Sequence, residues 1–262
     1  MAKAVLVDLR RCIGCRACQV ACKRWNNRET TTTVFNGGNA ATQDTKLEWT
    51  NPPGLAPETY TFVRFVKIGS GESLNWSFAK IQCMHCIEPH CVNGCPSMAL
   101  TKTENGPVVY RKEICIGCKY CVNSCPFGVP QWDEKNKIIE KCTFCSERIA
   151  EGLEPACVQA CPTDTLVLMD LEDARSKAIE AEAKGLKTYG FHEVGGTSWI
   201  YMSEVPFSEL MFHAQTSEAP VSHHTDLLTK FAGVGVFVGG ALLAVKLYSQ
   251  RREEVAKAEG GE

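Results

Sequence analysis

Four closely spaced cysteines followed by a proline constrain this chain more than any other feature. They are Cys115, Cys118, Cys121 and Cys125, with Pro126 next, and they read C-x2-C-x2-C-x3-C-P. Three thiolates at this spacing lie on one tight loop and bind one four-iron cluster. The fourth lies too far along the chain to reach that cluster and binds the other cluster of a pair. One such run therefore predicts a second.

The chain contains four runs of this kind, which we number in chain order. Run 1 is Cys12, Cys15, Cys18 and Cys22; run 2 is Cys83, Cys86, Cys91 and Cys95; run 3 is given above; run 4 is Cys142, Cys145, Cys157 and Cys161. A proline follows the last cysteine of runs 2, 3 and 4, whereas Lys23 stands there in run 1. Because every run is complete, the sequence predicts four 4Fe-4S clusters and no three-iron centre.

Two other uses of sixteen cysteines are less consistent with this pattern. Residues 1–10 contain no apolar signal core, so we expect no secretory peptide, and disulfides are disfavoured. Zinc also binds paired C-x2-C units, but the C-x2-C-x2-C-x3-C-P form is not typical of zinc ribbons. A zinc-binding structural protein remains a distant alternative. The formal charge of -2 argues against a nucleic-acid partner.

The fourth cysteine of each run binds the cluster of the paired run, so the ligands of every cluster can be assigned once the pairs of runs are known. Runs 2 and 3 are close in sequence and should pair, which leaves run 1 to pair with run 4. The four ligand sets are then set A, Cys12, Cys15, Cys18 and Cys161; set B, Cys22, Cys142, Cys145 and Cys157; set C, Cys83, Cys86, Cys91 and Cys125; and set D, Cys95, Cys115, Cys118 and Cys121. Spacing alone does not exclude the alternative, in which run 1 pairs with run 2 and run 3 with run 4.

The expected fold class is α+β, with two ferredoxin-like double-cluster domains, an inserted segment and one carboxy-terminal transmembrane helix. The predicted parts are 1–28 with 131–168 for one domain, 80–130 for the other, 29–79 for the insertion, 169–226 for a helix and loop extension, 227–248 for the membrane helix and 249–262 for a charged tail. Composition predicts strands at 4–7, 59–68, 108–110 and 198–202, and helices at 18–25, within 144–153 and at 170–184. Asp170 is the expected cap of the last helix.

The membrane prediction depends on segment 227–248, whose part 231–245 carries no charge. As a helix its 22 residues would span about 33 Å, enough for the hydrocarbon core. A buried or amphipathic helix is the alternative. Lys246, Arg251, Arg252 and Lys257 follow the uncharged part, which predicts a cytoplasmic tail and a periplasmic cluster body. A body without its own signal would have to cross with a partner that carries a twin-arginine signal.

Charged and histidine side chains lie beside the cysteine runs. Six cations flank the loops: Arg11, Arg16, Lys23, Lys80, Lys119 and Lys141. A nearby positive charge would raise a cluster's potential, although each of these residues could equally be an ordinary surface charge. His85 and His90 lie inside run 2, but its four cysteines already suffice as ligands.

The order of the four runs, with eleven residues between the second and third cysteines of run 4, resembles the iron–sulfur (beta) subunits of membrane-bound molybdopterin or tungstopterin oxidoreductases. In nitrate reductases a tryptophan commonly stands where this chain has Cys118, so that member is disfavoured. A narrower resemblance is to the formate dehydrogenase beta subunit. It rests on run 1 with the following Trp25-Asn26, on residues 81–86 with Pro96-Ser97, and on 186–190, 195–197 and Tyr201.

The resemblance implies the pairing of run 1 with run 4. It also implies a relay of electrons from a pterin-containing formate dehydrogenase catalytic subunit to a membrane cytochrome b or other quinone-reactive subunit. The half that holds Cys12 would face the catalytic subunit, and the half that holds Cys115 would face the membrane partner. We expect no catalytic residues, because no nucleophile–base pair or phosphate-binding loop stands out. The alternative within the superfamily is the same role in a sulfur-compound reductase or a hydrogenase.

Overall fold

The computed structural model describes residues 1–30, 47, 49–212 and six helical positions between 242 and 250. The chain divides into two compact units, Met1–Pro220 and Val221–Glu262. No helix within the described residues has the length and apolar character needed to cross a bilayer. The predicted membrane segment 227–248 lies outside the described residues apart from four helical positions, and so does the predicted tail apart from two.

The first unit is a mixture of short strands and short helices. The strands are β1 (Lys3–Asp8), β2 (Phe62–Ile68), β3 (Asn75–Ile81), β4 (Leu100–Lys102), β5 (Val108–Tyr110), β6 (Gln131–Asp133), β7 (Ile138–Glu140), β8 (Leu166–Asp170), β9 (Lys187–Tyr189) and β10 (Trp199–Ser203). The helices are α1 (Ala17–Trp25), α2 (His90–Asn93), α3 (Tyr120–Ser124), α4 (Ser146–Ala150), α5 (Ala156–Gln159) and α6 (Leu171–Ala183). Each strand and helix predicted from composition for residues 1–212 corresponds to one of these elements, which confirms the mixed α and β content.

A four-stranded sheet with the order β8-β1-β10-β9 forms the scaffold of this unit. Strand β1 runs parallel to β10 and antiparallel to β8, so it lies between strands that come much later in the chain. β9 and β10 fall in segment 169–226, which therefore contributes two strands to the same sheet as β1 in addition to its helix.

Helix α6 covers one face of this sheet. Ala174, Ala178 and Ala181 recur on one side of the helix and are buried against Ala4 and Leu6 of β1. This spacing places all three methyl groups on one helical face, and their small size allows the helix to approach the strands closely.

The opposite face of the sheet is turned towards the cysteine-bearing segments. Val5 pairs with Trp199 and Val7 with Tyr201 across the parallel strands, and all four side chains are fully buried. Since successive side chains of a strand alternate between faces, these residues point away from α6. A strand buried on both faces explains why β1 reads as a continuous apolar stretch.

The hairpin β2–β3 and the chain before it pack on α1. Gln19 of α1 accepts a 2.6 Å hydrogen bond from the Val63 backbone N–H and donates one of 3.3 Å to the Asn51 carbonyl. The described part of the predicted insertion thus lies against the run 1 helix. Strand β3 continues past the predicted end of the insertion and leads directly into run 2.

The predicted cap of α6 has a different partner. Asp170 occupies the N-cap position, but its side chain makes no capping hydrogen bond. Its carboxylate instead accepts a 2.7 Å hydrogen bond from Lys3 Nζ on the neighbouring strand. The predicted capping role of Asp170 is therefore wrong. Strand pairing brings a cation to this carboxylate, and that cation is absent from the local sequence.

Candidate metal centres

Short helices bring the four cysteine runs together in two pairs. Helix α1 of run 1 packs against α5 of run 4, and α2 of run 2 packs against α3 of run 3. The structure thus brings run 1 beside run 4 and run 2 beside run 3. The alternative pairing, of run 1 with run 2 and of run 3 with run 4, does not match this arrangement.

Sets A and D each line a small cavity. The cavity at set A is bounded by all four of its cysteines together with apolar side chains that include Val7, Leu9 and Val63. The cavity at set D is bounded by all four of its cysteines and by Leu100, Tyr110 and Ile139. In each case the fourth cysteine, Cys161 or Cys95, comes from the partner run.

The thiols of sets B and C also lie near one another. Cys22 lies within electrostatic range of Cys157 and Cys145, and Cys142 of Cys22 and Cys157. In set C the thiol of Cys86 lies in the same range of Cys83, Cys91 and Cys125. Sets A and D are thus each gathered around one cavity, whereas Cys22 also lies in the range of Cys18 of set A and Cys142 in that of Cys83 of set C, so the division between sets B and C and their neighbours remains a prediction.

The four sets follow one another in the order A, B, C, D. Cys18 of set A lies within electrostatic range of Cys157 of set B, and Cys91 of set C within that of Cys121 of set D. Between the middle sets, Cys83 packs on a buried cluster formed by Cys22, Cys142 and Tyr60.

Exposure of the cysteines differs along this order. Only Cys15 of set A and Cys118 of set D are exposed, and every other cysteine is partly or fully buried. Ile13 and Ile116 occupy equivalent positions in the two loops and are 60% and 67% exposed. The outer sets are thus the ones that approach the surface of the described body.

The last cysteine of each proline-containing run accepts several backbone hydrogen bonds. Cys95, Cys125 and Cys161 each receive three backbone N–H groups from the residues that follow them. Proline disfavours helical geometry in the residue before it, so the chain leaves the helix there and turns its amides towards the sulfur. Burial acts to raise the pKa of Cys95 and of Cys161, but these amide hydrogen bonds outweigh it and lower both pKa values.

Cys22 differs from these three cysteines. Lys23 replaces the proline, so α1 continues past Cys22 to Trp25. No backbone amide bonds to its sulfur; the Asn26 side-chain Nδ2 is the donor instead, at 3.6 Å. Burial raises the pKa of Cys22 to about 12. The departure from the proline pattern in run 1 is therefore accompanied by a different environment for its fourth sulfur.

Glycines shape the first loop of runs 1 and 3. Gly14 and Gly117 follow Ile13 and Ile116, and their φ angles are +67° and +69°. Residues with a Cβ rarely adopt such angles. A Cβ on Gly14 would also lie 2.9 Å from the ring of Phe78, so the loop closes against the hairpin β2–β3.

The chemistry of these groups fits iron–sulfur clusters. Burial raises the pKa of Cys18, Cys22 and Cys91 to about 12, so none of them would be a thiolate near neutral pH without a bound cation. Iron supplies that cation, because a coordinating thiol is deprotonated outright. Within the described ranges, no three His, Cys, Asp or Glu side chains are grouped as ligands of a single metal ion.

The flanking polar residues are placed in two different ways. Lys80 and Lys141 are buried, at 3% and 4% exposure, so the surface-charge interpretation is wrong for both. The side chains of Arg11 and Lys119 reach solvent and are 51% and 44% exposed. Sequence analysis also missed Lys102, whose Nζ donates to the His85 carbonyl at 2.9 Å. Its place seven residues after the last cysteine of run 2 was the available signal.

Both histidines of run 2 take part in internal contacts. His85 is fully buried, and its Nδ1 accepts a 2.9 Å hydrogen bond from the Val108 N–H. Burial, with Lys141 and Lys102 nearby, holds the pKa of His85 well below its ordinary value. His90 Nε2 lies 2.8 Å from the hydroxyl of Tyr120, which links α2 to α3.

Comparison with known proteins agrees with this chemistry. A family model described as a 4Fe-4S dicluster domain matches residues 74–171, and one described as a 4Fe-4S binding domain matches residues 3–24. The fold and these matches define an iron–sulfur protein of the 4Fe-4S class.

Similar proteins identify the family within this class to which the chain belongs. The iron-sulfur subunit of formate dehydrogenase-O from Escherichia coli K12 is 35% identical over 228 residues, which are 84% of this chain and 72% of the relative. The nitrate-inducible formate dehydrogenase iron-sulfur subunit of the same organism is 33% identical over 86% of this chain and 76% of its own. The hydrogenase-2 operon protein HybA of Escherichia coli O157:H7 is 30% identical over 79% of this chain and 71% of its own length. The chain belongs to the family of formate dehydrogenase iron–sulfur subunits.

Proposed function

We propose that this chain is the electron-transfer subunit of a formate dehydrogenase and that it carries four 4Fe-4S clusters, one in each of sets A to D. The matched 4Fe-4S families and the named relatives support the cofactor type and the complex. The proposal adds the number of clusters and the assignment of the sixteen cysteines to them.

The observation that carries this proposal is the linear order of the four cysteine sets with exposed ends. Cys15 and Cys118 are the exposed cysteines of sets A and D, and Cys83 of set C packs on Cys22 and Cys142 of set B. A protein that stored iron or used zinc only for structure would not need this order. An electron relay needs neighbouring centres along a path and access at both ends.

The chain's own residues hold and insulate the centres. When bound, each cluster supplies reversible one-electron reduction. The cysteines provide the ligands, and the backbone amides at Cys95, Cys125 and Cys161 stabilise negative charge on sulfur. Apolar side chains such as Leu100, Val108 and Ile139 exclude water between sets C and D.

The proposed partners are a molybdopterin or tungstopterin catalytic subunit at set A and a membrane cytochrome b or other quinone-reactive subunit at set D. The names of the formate dehydrogenase relatives describe an iron–sulfur subunit within a larger enzyme, which supports a catalytic partner. The assignment of each partner to an end follows the family resemblance. No catalytic residue is proposed on this chain.

A second candidate is the same relay in a hydrogenase complex. The relative HybA is named for a hydrogenase operon and is nearly as similar as the formate dehydrogenase subunits. Its lower identity, at 30% against 35%, makes it the weaker candidate.

Reduction of the clusters by different donors tests the choice. The intact complex, purified through a tag on this chain, is incubated under argon with formate, and cluster reduction is followed by visible bleaching and electron paramagnetic resonance. The same reduction is measured with hydrogen as the electron donor, and a polysulfide-reductase assay tests the sulfur-compound alternative. Formate-dependent reduction supports the proposal, and reduction by hydrogen alone would replace it with the second candidate.

The proposal extends to location in the inner membrane, with segment 227–248 as a single helix, the body in the periplasm and the tail in the cytoplasm. The uncharged stretch 231–245 and the cations after it support this. Protease digestion of intact spheroplasts at the exposed face of α6 is the test. Cleavage supports a periplasmic body, whereas cleavage only after lysis contradicts it.

A further inference from the structure

Lys80 is a buried cation that the proposed relay does not yet use. It lies at the end of β3, three residues before run 2, and its side chain is 3% exposed. A charge in such a place is costly unless another charge or several hydrogen bonds compensate it. The groups around its ammonium therefore indicate which charges compensate it.

Two neutral groups hold this ammonium in place. Its Nζ donates a 2.8 Å hydrogen bond to Gln82 Oε1 and lies 4.3 Å from the ring centre of Trp199. Gln82 is fixed in turn by a 2.6 Å hydrogen bond to the hydroxyl of Tyr201, which donates back to the Lys80 carbonyl at 2.8 Å. These contacts orient the lysine but do not neutralise it.

The groups near Lys80 that would become negative on binding a cluster are cysteines, and the lysine lines the same cavity as the four cysteines of set A. None of the salt bridges found in the described part of the chain includes this lysine. Its charge acts on Cys157 and Cys142 of set B and on Cys18 of set A. Burial acts to lower the pKa of Lys80, whereas Cys157, Cys18 and Tyr201, where ionised, act to raise it, and the net direction is upward.

Set B is also the set whose crossing sulfur has no backbone amides. Cys95, Cys125 and Cys161 each receive three amides, whereas Cys22 has the Asn26 amide and lies within range of the Lys80 charge. The buried ammonium thus lies near the one crossing sulfur that a side-chain amide serves, although Cys142 of the same set accepts a 3.4 Å hydrogen bond from the Phe144 N–H.

We propose that Lys80 is the positioning residue that supplies a fixed positive charge between sets A and B and raises the reduction potentials of the clusters bound there. Four thiolates around a four-iron core carry a net negative charge, and reduction adds one electron from the donor without a proton. A cation held nearby in a water-free region favours the reduced state. This inference rests on the proposed function for the presence of the clusters.

Lys119 provides the matched contrast. It also lies beside a cluster set, next to Cys118, and its Nζ is 4.3 Å from the ring centre of Trp132. Its side chain is 44% exposed, and it forms a 3.5 Å ion pair with Glu134. Water, salt and this carboxylate screen its charge, so removing it should have a much smaller effect.

The test is a potentiometric titration of the whole complex with dithionite and mediators, followed by electron paramagnetic resonance, after iron has been counted in each sample. The variants are Lys80→Met, Lys80→Arg, Gln82→Glu and Lys119→Met. We expect Lys80→Met to lower the reduction equilibrium constant of two of the four clusters about tenfold, which is 59 mV for one electron. Lys80→Arg should restore most of the shift, and Lys119→Met should change no cluster more than about twofold.

Two results would overturn the inference. One is an iron-replete Lys80→Met complex whose midpoints all agree with the wild type. The other result applies if Lys80→Met does not load iron. Gln82→Glu preserves the side-chain volume and places a carboxylate beside Lys80 Nζ. Unchanged midpoint potentials in an iron-replete Gln82→Glu complex would therefore also contradict the inference. Failure of formate to reduce an iron-replete wild-type complex would count against the proposed function alone, because dithionite sets the potential in the titration.

Discussion

Gly190 connects backbone geometry to the position of Trp199, whose ring lies against Lys80. Its φ angle is +85°, and a Cβ added there would lie 2.2 Å from the Trp199 carbonyl oxygen. Its own carbonyl accepts hydrogen bonds from the backbone N–H and the hydroxyl of Thr197. Only glycine allows the two segments to approach this closely.

Replacing this glycine should therefore destabilise the body. We expect Gly190→Ala to cost about 2–4 kcal/mol, from the left-handed conformation and from overpacking against backbone that cannot move aside. Gly185→Ala is the matched control, because Gly185 has a φ of +83° but open space around its Cβ position. Thermal unfolding followed by circular dichroism should show a clearly larger loss for Gly190→Ala, and equal losses would contradict the close contact.

The crossing of ligands between runs is also tested at single residues. Cys161 belongs to run 4 by sequence, but it shares a cavity with Cys12, Cys15 and Cys18. We expect Cys161→Ser and Cys12→Ser to remove or alter the same spectroscopic signal, and Cys157→Ser to affect a different one. Electron paramagnetic resonance of the three purified variants makes the comparison. Matching signals for Cys161→Ser and Cys157→Ser would support uncrossed runs instead.

At the scale of elements, α1 shows how one residue after a cysteine run sets the length of a helix. Lys23 continues the helix where the other runs have proline, and its Nζ donates to the Glu58 carbonyl at 2.8 Å and to Thr59 Oγ1 at 3.2 Å. The same turn carries Asn26, which donates to Cys22 Sγ.

Introducing the missing proline should disrupt this turn. We expect Lys23→Pro to cost about 3 kcal/mol or more, because proline removes a helical hydrogen bond and clashes with the preceding turn. Lys23→Ala, which keeps the helix and loses only the Nζ contacts, should cost less and retain the set B signal. A Lys23→Pro chain as stable as Lys23→Ala, with unchanged set B spectra, would show that the extended helix is unimportant.

The elements also show what the sequence could and could not predict. The strand around Val5, the start of α1 and the helix after Asp170 follow from local composition, and each is present. The pairing of β1 with β10 could not be read from the sequence, because it joins residues nearly two hundred positions apart. The burial of Lys80 depends on that pairing, since Trp199 of β10 forms part of its surroundings.

At the scale of the whole molecule, short helices hold four groups of cysteines in sequence along one body. The cysteine spacings predicted these groups, whereas their order depends on contacts such as that between Cys83 and the cluster around Tyr60. The arrangement accounts for the high proportion of cysteine. Metal binding and folding should be coupled in such a body.

This coupling gives a prediction for iron removal. We expect anaerobic treatment with an iron chelator and reductant to make the first unit more susceptible to proteolysis, because buried thiols such as Cys142 and Cys145 lose the cations that compensate them. Limited proteolysis of loaded and stripped protein is the measurement. Identical digestion patterns would mean that the fold does not depend on its clusters.

The central claim is that sixteen cysteines bind four clusters and that formate reduces all of them. The most direct measurement is iron and acid-labile sulfide analysis of the anaerobically purified complex, combined with spin quantitation after addition of formate. The account predicts about sixteen iron and sixteen sulfide atoms per copy of this chain beyond those of its partners, with four reducible centres. A folded, fully loaded chain with far fewer iron atoms, or with zinc in their place, would contradict it.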